Sequence, residues 1–106
     1  MKRWRVHVVV ADPAVSVALE RDSGEPITVG RSAQCDVCIR VGNISLRQLV
    51  LRVNDEGHVL AENLGGQGTF YEREKFKRAR IEPGRAMYCP ASVTVTRVED
   101  ISDEPR

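Results

Sequence analysis

The chain has 106 residues, a length typical of one domain with a modest core. Its hydrophobic fraction of 42% and charged fraction of 29% are ordinary for a globular domain, and no apolar run approaches the length of a membrane span. A net charge of +1 excludes a strong general attraction to nucleic acid or anionic membrane, so anion recognition has to be local.

Alternation of apolar and other side chains with a period of two predicts short β-strands along most of the chain. The segments with this pattern, in chain order, are 5–10, 15–20, 27–30, 37–40, 49–53, 59–62, 69–71 and 93–96. Turn residues separate them, and strong turn signals at both ends argue against a short helix over 72–81. The pattern predicts an all-β sandwich or barrel.

The two ends of the chain have simple interpretations. The first residues place basic side chains before a short apolar stretch, which faintly resembles a signal peptide, but the alternation favours a first strand. The last residues are acidic. We expect a domain over 1–98 and a flexible tail over 99–106.

The chain has three cysteines, Cys35, Cys38 and Cys89. This number is small and odd, which argues against a disulfide framework. They predict free thiols in a reducing compartment, which we take to be the cytoplasm. A zinc site needs four convergent ligands, and His7 and His58 fall in separate strands or turns. We therefore expect no metal, no cofactor and no catalytic centre, and a core position for Cys38 or Cys89.

Three polar loop segments stand out: Gly30-Arg31-Ser32, Ser45-Leu46-Arg47-Gln48 and Gly65-Gly66-Gln67-Gly68-Thr69. In a sandwich, distant loops can share one end. Glycine lets the backbone approach a ligand, a guanidinium matches phosphate oxygens, and a hydroxyl adds a neutral donor. These segments favour an anion site over plain polar loops.

The stretches "ITVGRSAQCDVCI", "ISLRQ", "ENLGGQGTFYE" and "IEPGRAMY" resemble, in order and spacing, the motifs of the forkhead-associated (FHA) domain. The resemblance covers roughly residues 5–98 and rests on the ordered set, since each motif alone is common. It implies a two-sheet β-sandwich of about eleven short, mostly antiparallel strands. It also implies a non-enzymatic module that binds phosphothreonine peptides of partner proteins, often beside other domains of a longer chain.

Family roles can be transferred position by position. Arg31 matches the arginine that pairs with phosphate, and Ser45 matches the serine whose hydroxyl donates to a phosphate oxygen. Gln67 stands where an asparagine holds the ligand backbone. The predicted phosphopeptide-binding residues are Arg31, Ser45, Arg47, Gly66, Gln67 and Thr69, and the predicted structural residues at the site are Gly30, Gln48 and Gly68.

The sequence departs from the family at several of these positions. A second basic residue is replaced by Leu46, and a bracing histidine by Gln48, whose amide also donates and accepts hydrogen bonds. Gly66 lacks a hydroxyl that relatives often have, and Glu72 replaces a second asparagine. A carboxylate there would repel phosphate if it pointed inward. An alignment that makes Arg47 the second basic residue would disrupt the following strand register.

These departures keep two other hypotheses open. The same fold could serve phosphate-independent docking or self-association. Alternatively, the basic run 73–80 could bind RNA through Lys75, Lys77 and Arg78, although a solvated, charged hairpin edge is the simpler interpretation.

Overall fold

The computed structural model describes residues 2–11 and 14–105. Within these residues there are eleven strands and no helix, and the strands form two sheets packed around one core, which confirms the predicted all-β sandwich. The strands are β1 (Arg3–Ala11), β2 (Val15–Asp22), β3 (Ile27–Gly30), β4 (Val37–Cys38), β5 (Leu49–Val53), β6 (Val59–Asn63), β7 (Thr69–Tyr71), β8 (Glu74–Phe76), β9 (Arg78–Ile81), β10 (Ala86–Tyr88) and β11 (Ser92–Asp100). No helix in this part of the chain is long and apolar enough to cross a membrane.

The first sheet has the order β2-β1-β11-β10-β7-β8, and the second has the order β4-β3-β5-β6-β9. The pairings are antiparallel except that of β3 with β4. Alternation places every second side chain inside: Val6 and Val8 of β1 and Leu49 and Leu51 of β5 are fully buried. Both sheets contribute to the same core, so the loops that join their strands lie at the two ends of the sandwich.

Residues 72–81 are not helical, as the turn signals predicted. A two-residue turn at Glu72 and Arg73, with φ of 51° and 71°, joins β7 to β8 as a tight hairpin. After Lys77 the chain crosses to the other sheet, where β9 pairs with β6. The basic run is therefore divided between the two sheets, although Lys75 and Arg78 line one shallow pocket.

The C-terminal residues extend the fold beyond the expected boundary at residue 98. β11 continues to Asp100, and the side chain of Ile101 is only 4% exposed. The N–H of Ile101 donates to the carbonyl of Arg3 at 2.9 Å, and Arg5 pairs with Glu104 at 2.8 Å. The ordered body of the domain thus includes Ile101, while Arg106 lies outside the described residues.

Candidate functional site

The three predicted site segments lie together at one end of the sandwich. The N–H of Arg31 donates to the carbonyl of Ser45 at 3.1 Å, which joins the first segment to the second. The carbonyl of Gln48 accepts the N–H of Leu64 at 2.9 Å and of Gly65 at 3.1 Å, which joins the second to the third. The structure therefore brings together the loops on which a shared anion site depends.

Two glycines allow this close packing. A Cβ on Gly30 would lie 2.3 Å from the carbonyl oxygen of Leu46, a distance that real Cβ atoms do not reach, so a side chain here would force the two loops apart. Gly68 has a φ of +85°, a backbone conformation that residues with a side chain rarely adopt. The aliphatic part of the Lys75 side chain covers its Cα. Both predicted structural glycines thus occupy positions that require glycine.

Beneath the loops lies a group of hydrogen-bonded side chains, which we name the Gln48 cluster; it consists of the buried Gln48 and Thr69 and the half-buried Asn63. Gln48 is 1% exposed. Its Oε1 accepts the N–H of Ser45 at 3.2 Å, and its Nε2 donates towards Thr69 Oγ1 at 3.0 Å, the Gly68 carbonyl at 3.1 Å and Asn63 Oδ1 at 3.3 Å. One amide therefore connects the second and third loops from inside.

Asn63 completes this cluster, although the sequence motifs did not predict a role for it. Its Oδ1 accepts the Thr69 hydroxyl at 2.9 Å, and its Nδ2 donates to the Gly65 carbonyl at 3.0 Å. The one available signal was an asparagine at a strand end two residues before a glycine-rich turn, a place where amide side chains often bond the backbone.

Thr69 lies beneath the loop surface and not on the rim. The sequence placed Thr69 among the residues that contact the peptide, but its side chain is 0% exposed and bonded to Asn63 and Gln48. The strand alternation turns it towards the core, so its role is to support the loop.

Above the cluster lies a rim formed by the half-buried Ser45 and the exposed Arg31, Arg47, Gly66 and Gln67. Arg31 donates from Nε to the carbonyl of Ile44 at 3.1 Å, which orients its guanidinium, and it forms no ion pair with any described residue. The Ser45 hydroxyl likewise makes no hydrogen bond within the described part of the chain. The rim therefore presents a cation and a hydroxyl whose donors are available to an anion.

The burial pattern of the second segment agrees with the alignment that places Leu46, and not Arg47, at the position of the family's second basic residue. Gln48, Leu49 and Leu51 are all buried, whereas Leu46 and Arg47 are exposed. The other alignment shifts this segment by one residue, which would turn Leu49 and Leu51 towards solvent.

Glu72, whose carboxylate would oppose phosphate if it pointed into the site, has a cation beside it. It forms an ion pair with Arg85, in the turn between β9 and β10. This pairing compensates the negative charge locally.

The cysteines do not form a metal site. Within residues 2–11 and 14–105, no group of three potential metal ligands among His, Cys, Asp and Glu converges. Cys35 and Cys38 are half-buried, and their thiols face the carbonyls of Leu46 at 3.3 Å and Arg31 at 3.6 Å. Cys89 is buried, as expected for a core cysteine, and burial raises the pKa of both Cys89 and Cys35.

Comparison with known proteins identifies the family. No curated protein matches the sequence significantly. Among solved structures, the FHA domain of CT664 from Chlamydia trachomatis has a TM-score of 0.74 at 19% identity, over 85% of this chain and 94% of that chain. The N-terminal FHA domain of S. cerevisiae Rad53p, solved with a phosphothreonine peptide, has a TM-score of 0.74 at 13% identity, over 86% and 93%.

EmbR of Mycobacterium tuberculosis, solved in complex with a low-affinity phosphopeptide, has a TM-score of 0.70 at 14% identity. That match covers 85% of this chain but 24% of the EmbR chain. The sequence profile of the FHA domain matches residues 27–86, more than half of the chain and all three site segments. The chain therefore belongs to the FHA domain family.

Proposed function

We propose that this FHA domain is a binding module for phosphothreonine-containing segments of partner proteins, acting in signalling or assembly. The observation that carries the proposal is the Arg31 guanidinium, oriented by the Ile44 carbonyl and unpaired among the described residues, at the same end of the sandwich as the Ser45 hydroxyl. A planar guanidinium and a hydroxyl are the donors that a phosphate dianion accepts best.

Each rim residue has a distinct role in this proposal. Arg31 makes charge-assisted hydrogen bonds to the phosphate, and Ser45 donates a further hydrogen bond. Gln67 holds the backbone of the bound segment through its amide. Arg47, exposed beside Ser45, reaches the ligand as a second cation, and Gly66 leaves room for the ligand backbone. The Gln48 cluster does not touch the ligand and keeps the loops in place.

The departures at Leu46 and Gly66 lower the expected affinity and leave the mode of binding intact. Each removes a donor to phosphate, and a hydrogen bond to a charged group contributes about 1.5–3 kcal/mol. Without both, affinity falls by roughly a hundredfold or more relative to a site that has them. We expect micromolar or weaker binding, with phosphate dependence retained through Arg31.

The cellular setting follows from the chemistry of the chain. Three free thiols suit a reducing compartment such as the cytoplasm. EmbR, of which this chain covers 24%, is an example of a longer protein that contains such a fold, and we expect this domain to act beside others.

The proposal is tested by titrating the labelled domain with a phosphothreonine peptide library and with its unphosphorylated twin. We expect the amide signals of residues 31, 45 and 67 to shift together, and only with the phosphorylated set. Arg31→Ala should abolish the shifts. Arg97→Ala, which removes an exposed arginine from β11, should leave them unchanged.

The same experiment separates the alternative function. Equal shifts with both sets, or shifts that persist in Arg31→Ala, would contradict the proposal and support phosphate-independent docking on the same fold.

A further inference from the structure

A second basic surface lies on the outer face of the sheet formed by β5, β6 and β9. It contains a shallow groove of about 530 Å³. We name this surface the arginine face, and it consists of Arg52, Leu60, Glu62, Arg78 and Arg80. None of these residues belongs to the rim or to the Gln48 cluster.

The strand register centres this surface on an exposed leucine. Leu60 pairs with Arg52 on one side and with Arg80 on the other, so two guanidinium groups flank it across three strands. Leu60 is 42% exposed, so its apolar side chain is accessible between the two cations. The arrangement is an apolar centre between cations.

The positive charge of the arginine face is only partly compensated. Glu62 is its one carboxylate, and it lies 3.8 Å from both Arg52 and Arg78 without a hydrogen bond to either. Arg80 forms no ion pair with any residue in the described ranges. By contrast, Arg21 in the same domain contacts Asp36 at 2.7 Å.

We propose that the arginine face is a docking surface for an acidic segment of a partner protein that carries an apolar side chain. The partner's carboxylates would pair with Arg80 and with the two arginines that share Glu62, and its apolar side chain would pack on Leu60. Single-stranded nucleic acid fits less well, because the described residues that line the groove include no aromatic ring for base stacking.

This surface is separate from the proposed phosphothreonine site and does not depend on it. Leu60 precedes Gly65 of the third site loop by five residues, a distance of roughly 16 Å along an extended chain. One partner could therefore occupy both surfaces, and the two contacts would then reinforce each other.

The test uses an unphosphorylated peptide, Asp-Glu-Asp-Leu-Asp-Glu-Asp, titrated into the labelled domain at low salt. We expect shifts in the amide signals of residues 50–53, 59–62 and 78–81. Arg80→Glu and Arg52→Glu should each weaken binding by about fivefold or more, because each turns an attraction into a repulsion. Added salt should weaken binding to the wild-type domain.

Arg73→Glu is the matched control, since it makes the same change in charge at another exposed arginine that has no ion pair in the described residues. It should weaken binding by less than about twofold. Leu60→Ser should weaken binding of this peptide. It should not change binding of a control peptide in which the peptide's leucine is replaced by serine. Circular dichroism establishes that each variant is folded.

Three results would overturn the inference. The first is an equal loss of binding in Arg73→Glu and Arg80→Glu, which would mean a response to net charge alone. The second is a pattern of shifts that maps elsewhere on the domain. The third is tighter binding of a seven-nucleotide uridine RNA through the same arginines, which would make nucleic acid the occupant.

Discussion

The Gln48 cluster and the rim lie a few ångströms apart and have opposite character. The cluster is buried apart from the half-buried Asn63, and its amides and hydroxyl are hydrogen-bonded to one another and to the backbone. The rim is exposed apart from the half-buried Ser45, and Arg31 and Ser45 keep donors without a partner in the described residues. The contrast separates two tasks: the interior fixes where the loops are, and the surface decides what they bind.

This separation bears on the departures from the family pattern. Gln48 replaces a histidine inside, where an amide satisfies the same kind of hydrogen bonds, so the loop positions survive. Leu46 and Gly66 stand on the rim at positions where the family pattern implies donors, and Arg47 is the cation that remains beside Ser45. The presence of Gln48 should therefore leave both stability and binding unchanged. The presence of Leu46 and Gly66 should lower the affinity for the phosphopeptide without lowering stability.

The strongest test of the contrast is Gln48→Ala. It removes the amide that bonds the Ser45 N–H, the Gly68 carbonyl and Thr69 from inside, so we expect the free energy of unfolding to fall by about 2–4 kcal/mol and phosphopeptide binding to be lost. Urea unfolding and calorimetric titration measure the two effects. Gln67→Ala is the matched control, since it removes the same side chain from the rim and should leave stability unchanged. Equal stability of both variants would contradict the contrast.

Gly30→Ala should separate the loops without removing a polar group. The new Cβ would lie 2.3 Å from the Leu46 carbonyl, so the second segment must move, at a cost of about 1–3 kcal/mol and with loss of binding. Gly66→Ala is its counterpart on the rim, where a Cβ meets nothing within 4 Å. Thermal unfolding should show a lower Tm for the first variant only, and similar shifts in both would refute the argument from close approach.

Two substitutions on the rim should increase affinity. Leu46→Arg supplies the missing cation at a side chain that is 56% exposed, and Gly66→Ser supplies a hydroxyl in open space. Each should tighten phosphopeptide binding by about tenfold, with Tm unchanged. Calorimetry on the single and double variants measures this. Tighter binding of the unphosphorylated twin as well would show that the added groups do not act on phosphate.

The smallest expected effect is a loss of stability in acid, which originates at the C-terminal end and does not involve the binding site. The Ser102 hydroxyl and N–H and the Lys2 ammonium lower the pKa of Asp100 from 3.8 to about 2, and a hydrogen bond with His7 lowers the pKa of Glu99. A carboxyl with a depressed pKa stabilises the fold above its unfolded pKa, and the contribution is lost as pH falls towards the folded value.

Stability should therefore fall between about pH 4 and pH 2, and Asp100→Asn should flatten that fall. Urea unfolding at a series of pH values measures it. An identical pH dependence in the variant would show that Asp100 is not responsible.

The sequence was sufficient for the fold where alternation is strong, as in β1 and β5, and for the order of the three site loops. It did not reveal β8 and β9, because these strands are short, charged and exposed, so they carry little apolar pattern. The arginine face could not be predicted for a different reason. Its residues come from three strands, and only the register brings Arg52 beside Leu60 and Arg80. Asn63 bonds to Gly65 and Thr69 of the loop that follows it, and no apolar pattern marks such a contact.

Ile101 shows the same limit at the end of the chain. A single apolar residue among acidic neighbours gives no periodic signal, yet it is buried and bonded to β1. Contacts of this kind depend on tertiary structure, which local sequence patterns do not report.

The central claim, that Arg31 reads phosphate, is tested most directly by a double-mutant cycle between its side chain and the phosphoryl group. Calorimetry would compare wild type and Arg31→Ala with the best library peptide and its unphosphorylated twin. We predict a coupling free energy of about 2–4 kcal/mol, with Arg31→Ala keeping only the small preference for phosphate that Ser45 and Arg47 supply. A coupling near zero, with the phosphopeptide preferred by the variant as strongly as by wild type, would contradict the account.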